Sequence, residues 1–563
     1  MNSFFSRWKR RVPVLAIALT FGWACMVIAM RRSEETEPGV ITLRFGHWQL
    51  EASVREAIDE MAADYRKIHP NVRIIQDAIP EMTYGQWLTT QLMGGTAPDM
   101  IEVGMVQYHL LVQYLNRYFL PLSRYVGAPN PYNEGTPLEG VPLRNTFKDG
   151  MRSSYYEEVQ AYMIIPLSQF GIRIFYNKDL LKRLTGREDP PTEYRDFLAV
   201  CEEIKRHKDP TGQPYTPIAS SKYHLPMWEY PLLDPLTYPL LREADFNRDG
   251  FVGNDELFVA IKTGRIHFRH PAIEARFRML DELSDHFQPG YTGLGRDEAV
   301  FLFAQQKAVF MTTGTWDAWS LQEQAQGSFS VGVMDYPRPV PEDPVYGDLV
   351  EGPNYERMYG GFPIGITRTC KHPDVALDFL LFLAGKEQNE KLNGIIGWIP
   401  SVKHTELDEF LKAFQPHLQG VYGCFNPNLG GETWIRWLQL YSLYQVKKIS
   451  FDELVARFEP FYIERGMTDF LEQQKDWRRG MHNNEQVLAG LRASALHSDG
   501  DEAQSYWVRY KTLLGSRQLW AEIGHARQMK MVMGELELPE RGPYEYKEAT
   551  LQRIRKHILG EAG

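Results

Sequence analysis

Cysteine is scarce in this chain of 563 residues, which contains four. They stand at Cys25, Cys201, Cys370 and Cys424, and no two of them form a C-x-x-C pair. This pattern excludes a zinc-ribbon or dithiol redox motif and argues against a small scaffold held together by disulfides. The last three cysteines could form one disulfide or none.

Signature motifs of the common enzyme classes are also missing. The chain has no H-E-x-x-H, no G-x-S-x-G, no P-loop and no G-x-G-x-x-G. A glycosidase needs only two carboxylates at a fixed separation, and with 72 acidic residues that alternative stays open. We expect a protein without catalytic activity.

Positive charge is sparse beyond the first 32 residues. The chain has 62 basic and 72 acidic residues, which gives a net charge of −10. Six of the basic residues precede residue 33, so the remainder carries 56 basic residues against the same 72 acidic ones. A body this acidic repels phosphate backbones, and we therefore expect no nucleic-acid partner.

An uncharged apolar run, Val12–Met30, lies near the N-terminus. As a helix its 19 residues would reach roughly 28 Å, about the thickness of the hydrocarbon core of a bilayer. Basic residues precede the run, which predicts that the rest of the chain is exported to the periplasmic or extracytoplasmic face. No A-x-A cleavage site follows, so we favour an uncleaved anchor in the cytoplasmic membrane. A lipidated Cys25 is the second alternative, and a cleaved signal peptide is the third.

Strand and helix patterns alternate after the apolar run. A strand run, "VITLRFGHW", precedes a helix in which Val54, Ile58, Met61 and Tyr65 share one face and Pro70 ends the element. A second strand run, a helix ending in two glycines and a third strand run, "PDMIEVG", come next. This alternation is typical of an α/β layer with a parallel sheet.

Five ordered stretches carry a resemblance to a known family. They are "ITLRFGHW" with "YRKIHPNVRI", then "GGTAPDMIEVG", "GIRIFYNKDLLKR", "EAVFLFAQQKAVFMTTGTWDAW", and "YGGFPIGITRTCKHPDVALDFLLFLAGKEQNEKL" followed by "GWIPSVK". In this order they resemble the extracellular solute-binding proteins of carbohydrate ABC importers, the maltodextrin-binding type. The resemblance runs from about Ile41 to about Leu471.

The resemblance implies a two-lobed α/β architecture, the type II periplasmic-binding-protein-like fold, with a hinge between the lobes. The chain would cross between lobes near 162–168, 334–357 and 401–405. A C-terminal helical extension follows the part that resembles the family. We place the anchor and linker at 1–40, lobe 1 at 41–165 and 358–403, lobe 2 at 166–357 and 404–475, and the extension at 476–563.

The same resemblance implies a function. A sugar or oligosaccharide would bind between the lobes, close them, and be delivered to ABC permease subunits in the membrane. The alternative is a membrane-tethered carbohydrate sensor or an interaction scaffold that takes no part in transport.

One stretch of the second lobe, "EADFNRDGFVGNDELF" at 243–258, matches the twelve-residue calcium loop of an EF-hand. Gly250 supplies the sharp turn at the sixth position. We predict one structural Ca²⁺ site and not a regulatory switch, because we find no second loop with which it could pair. A polar surface turn is the alternative interpretation. The predicted metal ligands are Asp245, Asn247, Asp249, the backbone carbonyl of Phe251, and Glu256.

Candidate sugar contacts follow from the fold and from the resemblance. Aromatic faces can stack on the apolar side of a sugar ring, and polar side chains can satisfy its hydroxyls. Ligands in open α/β sheets lie beyond the carboxyl ends of the strands, which selects His47, Trp48, Gln49, Glu102 and Tyr108. The resemblance adds Trp228, Glu229, Tyr230, Trp316, Tyr359, Gly360, Gly361 and Trp398.

Helical patterns continue through the C-terminal extension and form a hairpin followed by a third helix. The hairpin has an apolar stripe that would either pack against lobe 2 or form a docking face. The stripe consists of Val487, Leu488, Leu491, Tyr506, Tyr510, Leu513 and Leu514.

Overall fold

The computed structural model describes residues 39–156, 159–356, 359–483, 485–517 and 523–542. The predicted anchor at Val12–Met30 and Cys25 lie outside these ranges. Within the described ranges, no helix combines the length and the apolar character needed to cross a membrane.

The strands of the described residues are short, and most come from apolar runs bounded by turns. In chain order they are β1 Ile41–His47, β2 Val72–Ala78, β3 Met100–Glu102, β4 Tyr155–Tyr156, β5 Ala161–Tyr162, β6 Ile165–Phe170, β7 Ile172–Asn177, β8 Thr216–Ala219, β9 Ala308–Gly314, β10 Val331–Met334, β11 Tyr359–Ile366 and β12 Ile399–Pro400.

The α-helices lie between these strands and after the last of them. They are α1 Ala52–Ile68, α2 Glu81–Gly94, α3 Tyr108–Tyr118, α4 Leu143–Thr146, α5 Lys178–Thr185, α6 Tyr194–Lys205, α7 Leu225–Trp228, α8 Leu241–Ala244, α9 Asn254–Lys262, α10 Pro271–Ser284, α11 Arg296–Ala304, α12 Ala318–Ala325, α13 Pro373–Leu383, α14 Lys386–Ile396, α15 Glu409–Lys412, α16 Gly431–Gln445, α17 Phe451–Asn483, α18 Glu485–His497, α19 Gly500–Arg517 and α20 His525–Val532.

Shorter helical turns connect several of these elements. Glu229–Leu233 is a π-helical turn, and the 3₁₀ turns are Pro131–Asn133, Arg152–Ser154, Asp234–Leu240, Tyr291–Gly293, Thr315–Asp317 and Gly347–Leu349.

The first lobe is built on a six-stranded sheet with the order β12-β6-β11-β3-β1-β2. Strand β1 pairs parallel with β2 and β3, as the alternating pattern of the sequence predicts. Strand β11 pairs antiparallel with β3 and β6, and β12 pairs antiparallel with β6. The sheet is therefore mixed, because its second half is supplied by later parts of the chain.

The second lobe is built on a four-stranded sheet with the order β10-β7-β9-β8. Strand β7 is antiparallel to both of its neighbours, and β8 is parallel to β9. Two sheets, each with its own helices and core, give the two-lobed α/β fold that the resemblance implied.

The chain passes from the first sheet to the second between β6 and β7, where Gly171 is the single intervening residue. The predicted end of the first segment of lobe 1, at residue 165, is the first residue of β6, and the whole of β6 pairs in the first sheet. A side chain at Gly171 would place its Cβ 2.6 Å from the carbonyl oxygen of Phe414. The crossing thus needs glycine, because the segment that contains Phe414, which follows the third crossing, lies directly against it.

Helix α1 illustrates how the pattern of the sequence becomes packing. Val54, Ile58, Met61 and Tyr65 are all buried, with exposed fractions of 4% or less, and they pack in the core of the first lobe. The helix ends at Ile68, shortly before the proline that the sequence placed as its terminator. This element was predicted correctly in type, face and C-terminus.

The predicted boundary between lobe 2 and the extension, at residue 476, falls inside helix α17. The lobe 2 part of this helix contributes Phe458, Tyr462 and Phe470 to the core of lobe 2, and Met531 of α20, in the extension, joins the same core. The helices between them pack on each other through Leu488, Leu491 and Leu513, with the rest of the predicted apolar stripe around these residues. The predicted apolar stripe therefore forms the contact between α18 and α19.

The α18–α19 hairpin also reaches the first lobe. Arg509 of α19 donates from Nε and Nη2 to the carbonyl oxygen of Gln160, at 2.9 and 2.6 Å. Gln160 is buried and has a left-handed backbone, with φ of 53°. The described part of the extension therefore contacts lobe 1 through α19 and lobe 2 through α20.

Candidate functional site

The lobe 1 wall of the cleft is formed where β1 and β3 end. Trp48 follows β1 and packs against Tyr84, with ring centroids 5.0 Å apart. Its ring also covers Gly104, where an added Cβ would lie 2.8 Å from the indole. Trp48 is only partly buried, so it presents an aromatic surface at the end of the parallel strands.

Glu102 and His47 support this wall from inside. Glu102 is fully buried, and its two oxygens accept hydrogen bonds from the backbone N–H of Trp48, at 3.1 Å, and from Gln49 Nε2, at 2.7 Å. Burial raises the pKa of the Glu102 carboxyl well above its usual value. His47 is also fully buried, beside Gln76 Oε1 at 3.1 Å, and burial lowers its pKa. The prediction that these two side chains contact ligand is corrected, since both lie behind the surface.

Trp316 lies at the junction of the lobes. Its ring is 5.7 Å from that of Phe170, the last residue of β6 before the first crossing. Gly314 makes room for the indole, because an added Cβ there would lie 2.3 Å from the ring. The indole N–H is buried, and none of the described residues accepts a hydrogen bond from it. The ring as a whole is only partly buried, so it presents an aromatic surface at the junction.

Charged and phenolic groups of lobe 2 lie near Asp317, the residue that follows Trp316. Arg296 forms an ion pair with Asp317, and Tyr223 is 40% exposed nearby. The charge of Glu51 in lobe 1 acts on Arg296, and that of Glu81 acts on Tyr223. These residues of the two lobes therefore lie close enough to interact electrostatically across the cleft.

The sequence did not point to Arg296, Asp317 or Tyr223. The ion pair joins the first turn of α11 to the turn after β9, so its partners are 21 residues apart and fall in no motif. Asp317 directly follows Trp316, and this position was the one signal in the sequence that could have pointed to the ion pair.

Trp319 was also missed, although it is the second tryptophan of "GTWDAW". It belongs to α12 in lobe 2 and is 48% exposed. Its nearest neighbour from lobe 1 is Gly397, where an added Cβ would lie 2.8 Å from the Trp319 Cβ. Trp319 thus stands where the two lobes meet, with half of its ring open to solvent.

Several other predicted contacts lie elsewhere. Trp228 has an exposed fraction of 0% and packs among Phe197, Tyr336 and Phe287 in the core of lobe 2. Its predicted role as a ligand contact is wrong for this conformation, because the core encloses the whole ring. Glu229 is engaged by Arg276 and Tyr441. Tyr230, which is 66% exposed, and Trp398, which is partly buried against Phe362, stay predicted contacts.

Gly360 and Gly361 belong to β11 and pair with Gln169 and Ser168 of β6. An added Cβ would lie 2.4 Å from Ser153 Oγ at Gly360 and 2.8 Å from Ser168 Oγ at Gly361. The two glycines therefore allow close packing inside lobe 1, and this packing explains them without a ligand. The remaining candidates, Tyr108 and Tyr359, are the first residues of α3 and β11.

The predicted calcium loop folds as a compact turn between α8 and α9. Asp245 accepts from the backbone N–H groups of Asp249 and Gly250, at 3.2 and 3.1 Å. Gly250 has a left-handed backbone with φ of 82°, which agrees with its predicted role at the sharp turn. Glu256 accepts from Phe246, at 2.9 Å, and from further backbone N–H groups of the loop. Both carboxylates therefore point into the loop.

Burial of these carboxylates is costly while they are charged. Glu256 is 1% exposed and Asp245 is 6% exposed. Burial raises the pKa of Glu256 to about 8 and also raises that of Asp245. A cation in the loop would offset this cost, so the donor set suits a hard, oxygen-binding ion such as Ca²⁺.

The loop is not assembled as tightly as a filled metal site. Within the part of the chain that the structure describes, three metal-ligating side chains come within 4.8 Å of one another at Asp335, Glu356 and His417, and no such group forms in the loop. A bound ion would have to draw the loop oxygens together and replace the hydrogen bonds that Glu256 makes with the backbone.

The end of the extension covers the loop. Gln528 of α20 donates to Asp255 Oδ2 at 2.7 Å, and Arg541 forms an ion pair with Glu243 at 2.9 Å. The two regions in which this chain departs from the resemblance, the loop and the extension, therefore pack on each other.

Comparison with known families decides the identity of the two-lobed part. The profile of the bacterial extracellular solute-binding proteins matches residues 60–418. The chain belongs to this family. The match covers all three crossings and every strand of the two sheets except β1, and it confirms the family that the ordered sequence stretches indicated.

Similar proteins of this family include sugar binders. The "Multiple sugar-binding protein" of Streptococcus mutans is 20% identical over 405 residues, which are 72% of this chain and 85% of that protein. RafE of Streptococcus pneumoniae superposes with a TM-score of 0.51 at 16% identity, and the match covers 76% of this chain and 99% of RafE. The GacH receptor of Streptomyces glaucescens also has a TM-score of 0.51 at 16% identity, with coverage of 75% and 97%. These structural likenesses confirm the fold.

Two buried histidines make this solute-binding protein sensitive to acid. His224, whose Nδ1 is 2.8 Å from Ser221 Oγ, and His286 both have pKa values that burial lowers to about 4. The unfolded chain takes up these protons below pH ~6.5 and the folded chain does not, so stability should fall from pH ~6.5 down to pH ~4. We expect each histidine to cost about 2 kcal/mol of unfolding free energy at pH 5 relative to pH 7. Urea unfolding of the parent protein and of His286→Phe at the two pH values measures this loss of unfolding free energy. If His286→Phe kept the full pH dependence of stability, the contribution assigned to His286 would be contradicted.

Proposed function

We propose that this chain binds a sugar or oligosaccharide between its lobes and delivers it to the permease of an ABC importer. The observation that carries the proposal is the junction around Trp316, whose partly exposed ring is followed in the chain by Asp317 and its ion-pair partner Arg296. Trp48 supplies a second aromatic surface from lobe 1.

The chemistry of this cleft suits a carbohydrate. A sugar ring has an apolar C–H face, which can stack on an indole, and a rim of hydroxyls, which need donors and acceptors. Arginine and carboxylate side chains supply both, and each can bind two hydroxyls at once. Residues of this kind stand on both walls, so a bound molecule could contact both lobes.

The relatives support the same class of ligand. One is named for binding multiple sugars, and RafE and GacH were solved in complex with raffinose and acarbose, respectively. A ligand that touches both lobes favours the closed state by its difference in affinity for the two states, and this difference drives closure. The closed form would then dock on the permease.

A thermal-shift screen with mono- and oligosaccharides tests the proposal. A sugar at one hundred times its dissociation constant should stabilise the protein by about 2.7 kcal/mol and raise its melting temperature. No shift with any sugar in a broad panel would argue against carbohydrate binding, and hydrolysis of a glycan would point to a glycosidase. Loss of sugar uptake upon deletion of the gene separates an importer from a tethered sensor.

Trp316→Ala should weaken sugar binding by about 1–3 kcal/mol, the usual cost of removing a central aromatic contact. The fold should remain intact, because Trp316 is only partly buried. Isothermal titration calorimetry with a sugar from the screen gives the affinity, and Phe301→Ala is the control at an exposed aromatic. Equal affinity of Trp316→Ala and the parent protein would remove Trp316 from the site.

The proposed location is the outer face of the cytoplasmic membrane. The support is the family, whose members are extracellular, together with the apolar run Val12–Met30. Fractionation of the full-length chain tests it. A soluble protein with a mature N-terminus beyond Met30 would indicate a cleaved signal, and release of the Cys25→Ser variant would indicate a lipid anchor.

We further propose that the loop at 243–258 binds one structural Ca²⁺. Its support is the buried pair of carboxylates, Asp245 and Glu256, which point into a turn with the spacing of a calcium loop. The ion would hold this part of lobe 2 together and would not control sugar binding.

Removal of calcium should therefore lower the melting temperature without changing sugar affinity. Calcium at one hundred times its dissociation constant should add about 2.7 kcal/mol to the unfolding free energy. Glu256→Gln should lower the melting temperature as chelation does. Differential scanning calorimetry with Ca²⁺ or with chelator measures the effect, and Glu342→Gln is a control at an exposed acidic residue of lobe 2. An unchanged melting curve would mean that the loop is a polar turn.

A further inference from the structure

Arg173 contacts the segments that connect the two lobes. It is the second residue of β7, directly after the first crossing, and its side chain is 2% exposed. Its Nη1 donates to the carbonyl of Ile172 at 2.7 Å. Nε and Nη2 donate to the carbonyls of Ala413 and Gln415, at 2.9 and 2.7 Å, in the segment after the third crossing. One guanidinium therefore joins the first and third connections.

The second connection is held by the same side chain. Nη1 and Nη2 of Arg173 donate to Oε1 and Oε2 of Glu356, at 2.9 and 3.0 Å. The five N–H donors of the guanidinium are thus all used. Glu356 is bound in turn to the third segment, because its N–H donates to the carbonyl of His417 at 2.7 Å and its Oε2 accepts from the N–H of His417 at 3.1 Å.

Asp335 adds a second carboxylate at the start of the second connection. His417 Nε2 lies 2.8 Å from Asp335 Oδ2, and the guanidinium groups of Arg173 and Arg338 lie 4.0 and 3.6 Å from Asp335. Burial alone would raise the pKa of Asp335, but the two arginines outweigh it and lower the pKa. Asp335 is therefore held as a charged partner within this network.

Lobe 1 holds its own end of the third connection. The N–H of Lys403 donates to the carbonyl of Thr146 at 2.8 Å, and the N–H of Lys148 donates to that of Ser401 at 2.9 Å. Between these contacts and α15 lies the short stretch 404–408, which begins with a left-handed residue, His404, at φ of 58°. The first and third connections thus each have a short part between the group held by lobe 1 and the group held by Arg173.

We propose that Arg173 is a positioning residue for lobe closure, holding the three connecting segments to lobe 2 so that bending is confined to short joints. These joints are Gly171 in the first connection and residues 404–408 in the third. The inference deepens the proposed function, since it concerns the motion by which a ligand would be enclosed. Lysine cannot take this role, because it has three donors on a single nitrogen and no planar fork to match Glu356.

The test measures how far apart the lobes lie in the absence of ligand. Spin labels at the exposed positions Glu134 in lobe 1 and Arg206 in lobe 2 give a distribution of interlobe distances. We compare the parent protein with Arg173→Lys and Glu356→Gln, the second of which keeps the shape of the partly buried side chain. Arg187→Lys is the matched control, because Arg187 binds both oxygens of Asp196 in lobe 2 and lies outside the three connections.

Arg173→Lys and Glu356→Gln should each broaden the distance distribution about twofold, and Arg187→Lys should leave it unchanged. A role in stability alone would lower the melting temperature and keep the distribution narrow, which would overturn the inference. Equal broadening by Arg187→Lys would overturn it as well. If Arg173→Lys does not fold, Glu356→Gln decides. Since no sugar is added, the failure of a sugar screen leaves this measurement intact and refutes only the proposed function.

Discussion

Replacing Arg276 by methionine should lower the unfolding free energy by about 3–5 kcal/mol, the cost of leaving buried charges without a partner. Arg276 of α10 is 7% exposed and lies between two carboxylates. Its Nε is 2.7 Å from Asp234 Oδ1, and its Nη2 is 3.2 Å from Glu229 Oε2. Without the guanidinium, two acidic groups would remain close together in the core of lobe 2.

The pKa values of this triad support the expectation. Burial acts to lower the pKa of Arg276, but Asp234 and Glu229 outweigh it and raise it. Burial raises the pKa of Asp234 even with Arg276 present. Loss of Arg276 would therefore force Asp234 toward its neutral form, so the variant should lose less stability at acidic pH than at neutral pH.

Arg278→Met is the matched control for Arg276→Met. Arg278 stands on the same helix, half exposed, and pairs with Glu274 at 3.0 Å. Exposed pairs of this kind contribute about 0.3–0.5 kcal/mol, so its replacement should change little. Guanidinium unfolding of both variants gives the comparison. A similar loss for the two would show that the buried triad has no special role.

Trp228→Ala should cost about 3–5 kcal/mol of unfolding free energy, because it leaves a large cavity in the core of lobe 2. Sugar affinity should stay unchanged where the variant is folded, since the ring lies among Phe197, Phe287 and Tyr336 and not in the cleft. Urea unfolding gives the stability, and calorimetry at low temperature gives the affinity.

Trp316→Ala should show the opposite behaviour, with weaker sugar binding and little loss of stability. Trp228→Phe is the milder core variant and should lose less than Trp228→Ala, because it keeps most of the apolar volume. If folded Trp228→Ala bound sugar more weakly, the cavity in the core of lobe 2 would have changed the shape of the cleft.

The pair Trp228 and Trp316 shows the limit of sequence reasoning about the site. Both tryptophans follow strands of lobe 2 and both stand beside acidic residues, so neither pattern separates a core ring from a cleft ring. Burial is a property of the assembled lobe, where α7 turns Trp228 inward and Gly314 leaves space for Trp316 on the cleft side. The Arg296–Asp317 pair was missed because no local spacing marks it.

The fold was more accessible to sequence reasoning. The parallel strands β1, β2 and β3 follow from alternating runs and from the amphipathic face of α1, which are local signals. The antiparallel additions β6, β11 and β12 could be placed only through the resemblance to a family, because strands so distant in sequence leave no local trace of their pairing. The N-terminal anchor and the calcium ion stay predictions.

The order of strands in the first sheet has a consequence for biogenesis. Strands β1, β2 and β3 are complete by Glu102, but their sheet gains its last strand only at Ile399–Pro400. The four strands of the second sheet all lie between Ile172 and Met334, inside this interval. A chain that emerges N-terminus first therefore starts lobe 1 before lobe 2 and finishes it afterwards. Non-local pairing of this kind slows folding, and a chain that folds slowly stays extended long enough to be threaded through a translocation pore.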